Sequence, residues 1–184
     1  MGKYKSFEPE AEAIGQSMLG FIECLRREEI RPYLEAHGLT DIQPNGWYPV
    51  QQWLDVLSDL SEDRPGQAMF DFVAIGMQIS QTSSYPPEFE KMSFFEVLQA
   101  AAVAHNSMQH RNYSGRMKVE RIGPRHIRVA IRVPYPDDLM YGATYGVTRR
   151  FLKGVPFTVA YDDVIPRREQ GGDETVFHIV WENA

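Results

Sequence analysis

Apolar residues recur at one spacing up to Gly115 and at another beyond it, and this change of period fixes what kind of fold the chain can adopt. Before Gly115 the spacing is helical. Ile14, Met18, Phe21 and Leu25 fall on one face of an amphipathic helix over 10–27. A shorter helix follows over 31–36 and stops at Gly38. The Pro44-Asn45-Gly46 turn leads to Pro49, a suitable first helical residue, and Val50, Trp53, Leu54 and Leu57 form the next apolar stripe. Arg64-Pro65-Gly66 opens a third helix over 67–80. Its Met69, Phe70, Phe72, Val73, Ile75, Met77 and Ile79 surround the axis, which predicts a central, buried helix with Gly76 at a close approach. A fourth helix is predicted over 88–109.

After Gly115 the period is two. Ile127, Val129, Ile131 and Val133 alternate with polar partners, and Gly123-Pro124-Arg125 joins this strand to 117–122 as an antiparallel hairpin. A helix over 137–152 begins with Asp137-Asp138 and ends near Arg149, Arg150 and Lys153, both signs complementing its dipole. Phe157, Val159 and Tyr161 mark one more strand, and Phe177, Ile179 and Trp181 the last. The order predicts an α+β fold: an N-terminal helical layer of four to five helices followed by a β-β-α-β-β antiparallel sheet. The 184 residues are expected to form one domain, its helical part about 8–112 and its sheet part about 113–183.

Charge and cysteine content narrow the function classes. Nineteen Lys and Arg against 25 Asp and Glu give a net charge of −6, which argues against a nucleic-acid partner. Cys24 is the only cysteine, so neither an internal disulfide nor a thiolate metal site is expected. Glu8, Glu10 and Glu12 interrupt any secretory signal, and no apolar run suffices to span a bilayer, so a cytoplasmic location is expected.

The most informative single position is His105. Phe94, Leu98, Ala101, His105 and Met108 share one face of the fourth helix, with Ala100, Ala102 and Ala104 alongside. A neutral imidazole nitrogen on an apolar face, with small neighbours, meets the needs of an axial haem ligand. The plain alternative is a core histidine bonded to a backbone carbonyl. The other histidines read as structural: His110 in a solvated link, His126 and His178 on outward strand faces, His37 at a helix end. No two histidines have helical ligand spacing, no Gly-x-Ser-x-Gly elbow or phosphate-cradling glycine loop occurs, and Cys24 reads as a small core residue. No catalytic residue and no metal ligand are therefore assigned. A pocket for an apolar ligand is expected to draw on His105, Phe94, Leu98, Met108, Tyr141, Tyr145 and Trp181, the two tyrosines flanking Gly142 and Gly146.

The order of elements resembles a superfamily. The features are Tyr48-Pro49 opening a helix, the Gly-bearing helix 66–80, the hairpin 115–133, the Tyr141-Gly142-xxx-Gly146 helix and the terminal Ile179-Val180-Trp181. Its members are 4-vinyl reductase-type ligand-binding domains, haem nitric-oxide/oxygen-binding domains, TRAPP-like vesicle-tethering subunits and bacterial proteins abundant in myxobacteria. The likeness covers about residues 10–182. In it, His105 looks like the haem-ligating histidine of the gas-sensing branch. The Tyr-x-Ser-x-Arg motif that holds the propionates in that branch is absent, the corresponding stretch reading Pro134-Tyr135-Pro136-Asp137-Asp138. Tyr113-Ser114-Gly115-Arg116 resembles the motif only in composition, and the cysteines of metal-binding members are missing from the C-terminal sheet. These readings together predict a non-enzymatic domain that binds an apolar small molecule or regulates a partner, needs no cofactor and forms a homodimer. The alternatives are a haem-based gas sensor with His105 as axial ligand, and a TRAPP-like scaffold.

Overall fold

A computed structural model describes residues 2–62 and 71–182. In chain order the elements are β1 (Glu12–Ile14), α1 (Gly15–Ile22), α2 (Arg27–Ala36), β2 (Trp47–Pro49), α3 (Val50–Glu62), α4 (Phe72–Thr82) and α5 (Phe94–Met108). Then follow β3 (His110–Arg111), β4 (Arg116–Gly123), β5 (His126–Arg132), α6 (Asp137–Phe151), β6 (Phe157–Tyr161) and β7 (Thr175–Trp181). This is the expected α+β order, with a helical layer ahead of a β-β-α-β-β unit.

The large sheet runs β4-β5-β7-β6, with every neighbouring pair antiparallel. Its register sets Ile127 opposite Ile179 and Val129 opposite Phe177. Alternation does the rest: Ile127, Val129, Ile131, Val159, Phe177 and Ile179 are all buried on one face.

The central helix is α3 rather than the predicted 67–80. Val50, Trp53, Leu54, Val56, Leu57 and Leu60 are all buried along it. Pro49 immediately precedes the helix, and the Val50 N–H donates to the Ala11 carbonyl (2.8 Å), so the start of α3 is tied to the strand before α1. On α4 only Ile75, Gly76 and Ser80 are buried, so it is a flanking helix. Its apolar surround has a local cause, contact with α6 on one side and with α1 on another. The Arg64-Pro65-Gly66 start, Met69 and Phe70 lie outside the described residues. Asp71 caps α4 instead, its carboxylate accepting from the N–H groups of Val73 and Ala74.

Glycines set how closely α4 and α6 approach. A Cβ on Gly76 would overlap the Leu139 carbonyl oxygen, and one on Gly142 would overlap that of Val73. One on Gly146 would lie 2.7 Å from the Met77 carbonyl oxygen. Ser80 Oγ donates across the contact to the Ala143 carbonyl (2.9 Å). The expected close approach at Gly76 is thus found, with α6 as the neighbour.

A small sheet, β2-β1-β3, was not expected. β1 falls inside the predicted first helix, which begins only at Gly15. Ala11 and Ala13 are each 1% exposed there, and the three-residue strand pairs Ala13 with both Tyr48 and His110. The predicted helix over 88–109 likewise divides into a 3-10 turn, Pro87–Lys91, and α5, which opens on a Ser93/Glu96 capping box. Among the described residues no helix is long and apolar enough to cross a membrane.

Candidate functional site

The last turn of α5 carries His105, and the chain then enters β3 at His110, held by Ala13 of β1. Asn112 takes a positive φ of 49° and reverses the chain, so that Tyr113 comes back toward α5. Gly115 has to be glycine for this to work, because a Cβ there would overlap the Tyr113 ring. Tyr135 arrives from the end of β5. Around the His105 ring stand His110 at 4.7 Å, Tyr113 at 6.1 Å and Tyr135 at 6.4 Å between centroids, and Tyr113 stacks on His110 at 4.1 Å.

Hydrogen bonds determine the proton on His110. Its Nδ1 lies 3.0 Å from the His105 carbonyl, which can only accept, so Nδ1 donates. Nε2 of the neutral ring then accepts from the Tyr135 hydroxyl at 2.6 Å. Burial lowers the His110 pKa, which keeps it in that neutral form. The solvated link predicted for His110 is therefore corrected: the residue is 7% exposed and bonded through both nitrogens.

His105 is different. Burial, helped by the His110 imidazole nearby, pushes its pKa down to about 3, and its Nε2 is buried with no hydrogen-bond partner. Among the described residues the only other buried side-chain atoms in that position are the Tyr113 hydroxyl and Arg168 Nε. All three belong to one neighbourhood. Arg168 Nη2 donates to the Tyr135 carbonyl (3.1 Å), and the Arg168 charge acts on the Tyr113 hydroxyl. Burial raises the pKa of Tyr113 and of Tyr135, so both phenols stay protonated as donors. Arg168 is held in turn by its own N–H, which donates to Thr175 Oγ1, itself a donor to the buried Asp137 carboxylate. A surface cavity of about 510 Å³, lined by Glu8, Pro9, Glu10, Asn112, Tyr113 and Ser114, opens beside Tyr113. Native proteins rarely strand buried polar atoms, so three together mark a place where something else supplies partners.

The seven residues expected to share a pocket lie in separate places. Phe94 packs edge-on against Trp181 at 5.7 Å, and Leu98 is buried in the core. Tyr141 stacks on Tyr161 and donates to the Val159 carbonyl (3.1 Å), while Tyr145 sits against Phe157 at 5.0 Å. Met108 points outward and is 67% exposed. His105 instead gathers His110, Tyr113, Tyr135 and Arg168; alternation and spacing place the first in a solvated link and give no sign of the last.

No protein-family model matches the sequence, and comparison with curated proteins gives no match. Solved structures do match. The chain is similar to an H-NOX protein from S. oneidensis in the Fe(II) ligation state (TM-score 0.69, 14% identity, 92% of this chain and 96% of that one). It is similar to the same organism's H-NOX in the Fe(II)NO state (TM-score 0.67, 15% identity, 92% and 99%). It also matches a mutant H-NOX of T. tengcongensis (TM-score 0.66, 13% identity, 92% and 94%). At such identities the likeness establishes the fold, that of H-NOX domains. One of these neighbours carries iron with NO, and another concerns haem distortion in the H-NOX family. That finding overturns the expectation of a domain with no cofactor.

Proposed function

We propose that this chain is a cytoplasmic, haem-based gas-sensing domain in which His105 Nε2 is the axial ligand of the iron. The observation that carries the reading is the state of that nitrogen: buried, partnerless and held neutral down to about pH 3. A free imidazole lone pair is what iron requires of an axial histidine.

The surrounding residues have defined tasks in this reading. His110 ties its Nδ1–H to the His105 carbonyl and so fixes the end of α5 that presents the ligand. Tyr135 locks His110 from the other side. The Tyr113 hydroxyl and Arg168 Nε are the donors available to the carboxylates of haem, standing in for the absent Tyr-x-Ser-x-Arg motif. If bound, haem would be held by His105 and would supply an iron able to take a diatomic gas. Tyr113 also borders the 510 Å³ surface cavity beside this group.

Haem reconstitution of the purified chain tests this. A Soret band that is present in the wild type and lost in His105→Ala is the expected result. No band in the wild type would sink the reading and return the domain to its rivals, an apolar-ligand pocket of the 4-vinyl reductase type or a TRAPP-like scaffold. The proposal further takes residues 1–184 as one domain that pairs as a homodimer, with Val103 (61% exposed) and Met108 on the open face of α5.

A further inference from the structure

On the outward face of the large sheet two histidines far apart in sequence meet. The β5–β7 register pairs His126 with Val180, which sets His126 and His178 diagonally on adjacent strands. His126 Nε2 and His178 Nδ1 are 2.7 Å apart. The other nitrogen of His178, Nε2, lies 2.9 Å from Asp162 Oδ2. Asp162 is itself fixed, its Oδ1 accepting from the N–H groups of Val164 (2.8 Å) and Ile165 (2.7 Å).

This carboxylate sets the tautomer. Because Nε2–H of His178 donates to Asp162, Nδ1 presents a lone pair toward His126. A single proton, on His126 Nε2, then lies between two ring nitrogens aimed at one point. Water reaches that point, since the His178 side chain is 27% exposed. Arg128, opposite His178 in the register, brings a positive charge, but its guanidinium is turned to Glu120 (2.9 Å) and Glu174 (3.4 Å). Among the described residues no three metal-ligating side chains converge, so any ion here has two protein ligands and water for the rest.

We propose that His126 Nε2 and His178 Nδ1 bind a divalent transition-metal ion of the Zn²⁺ or Cu²⁺ class, with Asp162 orienting His178 rather than ligating. Each ring nitrogen forms one bond to the ion; the Nε2 proton of His126 passes through water to the same ring's Nδ1, so His126 binds as neutral imidazole with no net proton lost. Imidazole pairs favour these ions over Mg²⁺ or Ca²⁺, whose preferred ligands are oxygens. The site is separate from His105 and does not depend on haem.

The test uses untagged full-length chain, stripped with EDTA and titrated with ZnCl₂ by calorimetry and with CuSO₄ by electron paramagnetic resonance. One Zn²⁺ per chain is expected, with apparent affinity falling in acid, where protons compete with the ion for imidazole nitrogens. The Cu²⁺ spectrum should show two coordinated imidazole nitrogens. Asp162→Asn should weaken Zn²⁺ at least about tenfold, as loss of an orienting carboxylate does. His105→Ala should leave the stoichiometry unchanged, while His126→Ala and His178→Ala lose it. His126→Gln and His178→Gln, which keep a hydrogen-bonding group at each position, carry the same expectation should the alanine variants fold poorly. Zn²⁺ binding by the His126 and His178 variants equal to that of wild type, or none by wild type, would overturn the proposal.

Discussion

The two histidine pairs of this molecule have almost the same spacing and opposite chemistry. The ring centroids of His105 and His110 are 4.7 Å apart, and those of His126 and His178 are 5.0 Å apart. In the first pair burial excludes charge: His110 is bonded to a carbonyl and a phenol rather than to a carboxylate, and both pKa values fall. In the second pair Asp162 faces one ring directly, and water reaches it. Proximity of two imidazoles therefore says little by itself. The third partner, an apolar wall or a carboxylate, decides whether the pair is shut away from charge or turned toward it.

The largest expected effect lies in the buried pair. A histidine at about 3 in the fold and near 6.5 when unfolded takes up its proton only on unfolding between those values. The stability it permits is complete above pH 6.5 and declines as pH falls toward 3. Acidification from pH 6.5 to 5 should cost the wild type about 2 kcal/mol more than His105→Leu, read from urea denaturation at each pH. Equal slopes for the two proteins would break the contrast.

Next in size is Tyr135→Phe, which strands His110 Nε2 in the interior. A loss of about 1 to 2 kcal/mol is expected, visible as a lower denaturation midpoint with an unchanged m-value. The smallest effect belongs to the outer pair. His126→Ala should cost less than about 1 kcal/mol, because water replaces the lost hydrogen bond. There the pH signature is inverted in position. Hydrogen bonds from His178, then from the Ile165 and Val164 N–H groups, hold Asp162 at about 2, below its ordinary 3.8. The stability it adds over Asp162→Asn is present above pH 3.8 and lost as pH falls to about 2. A difference that persists below pH 2 would show that the carboxylate charge is not what matters.

The same contrast explains how much the sequence disclosed. The outward placement of His126 and His178 follows from alternation alone, and the structure agrees. Their meeting does not follow, because β7 inserts between β5 and β6 and sequence offers no count of that register. Strands β4 to β7 and helix α6 were legible because each is long enough to show its period. β1, β2 and β3 are two or three residues each, too short for any period, and these are the strands that bury His110. Hence His105 was visible as a candidate through its helical stripe, while His110, Tyr113 and Arg168 were not. Their relation to it depends on a reversal at Asn112 and on a loop before β7. The all-round apolarity of α4 misled for a related reason. Periodicity reports that a surface is covered, and a single close neighbour covers as well as a surrounding core.

That neighbour has a consequence for where space can exist in the molecule. At Gly76, Gly142 and Gly146 the backbones of α4 and α6 lie in direct contact, with carbonyl oxygens where side chains would stand. Interior volume cannot open between two main chains at those three points without parting the helices along their length. The pair acts as a closed seam, and any guest large enough to matter has to find its room off that line.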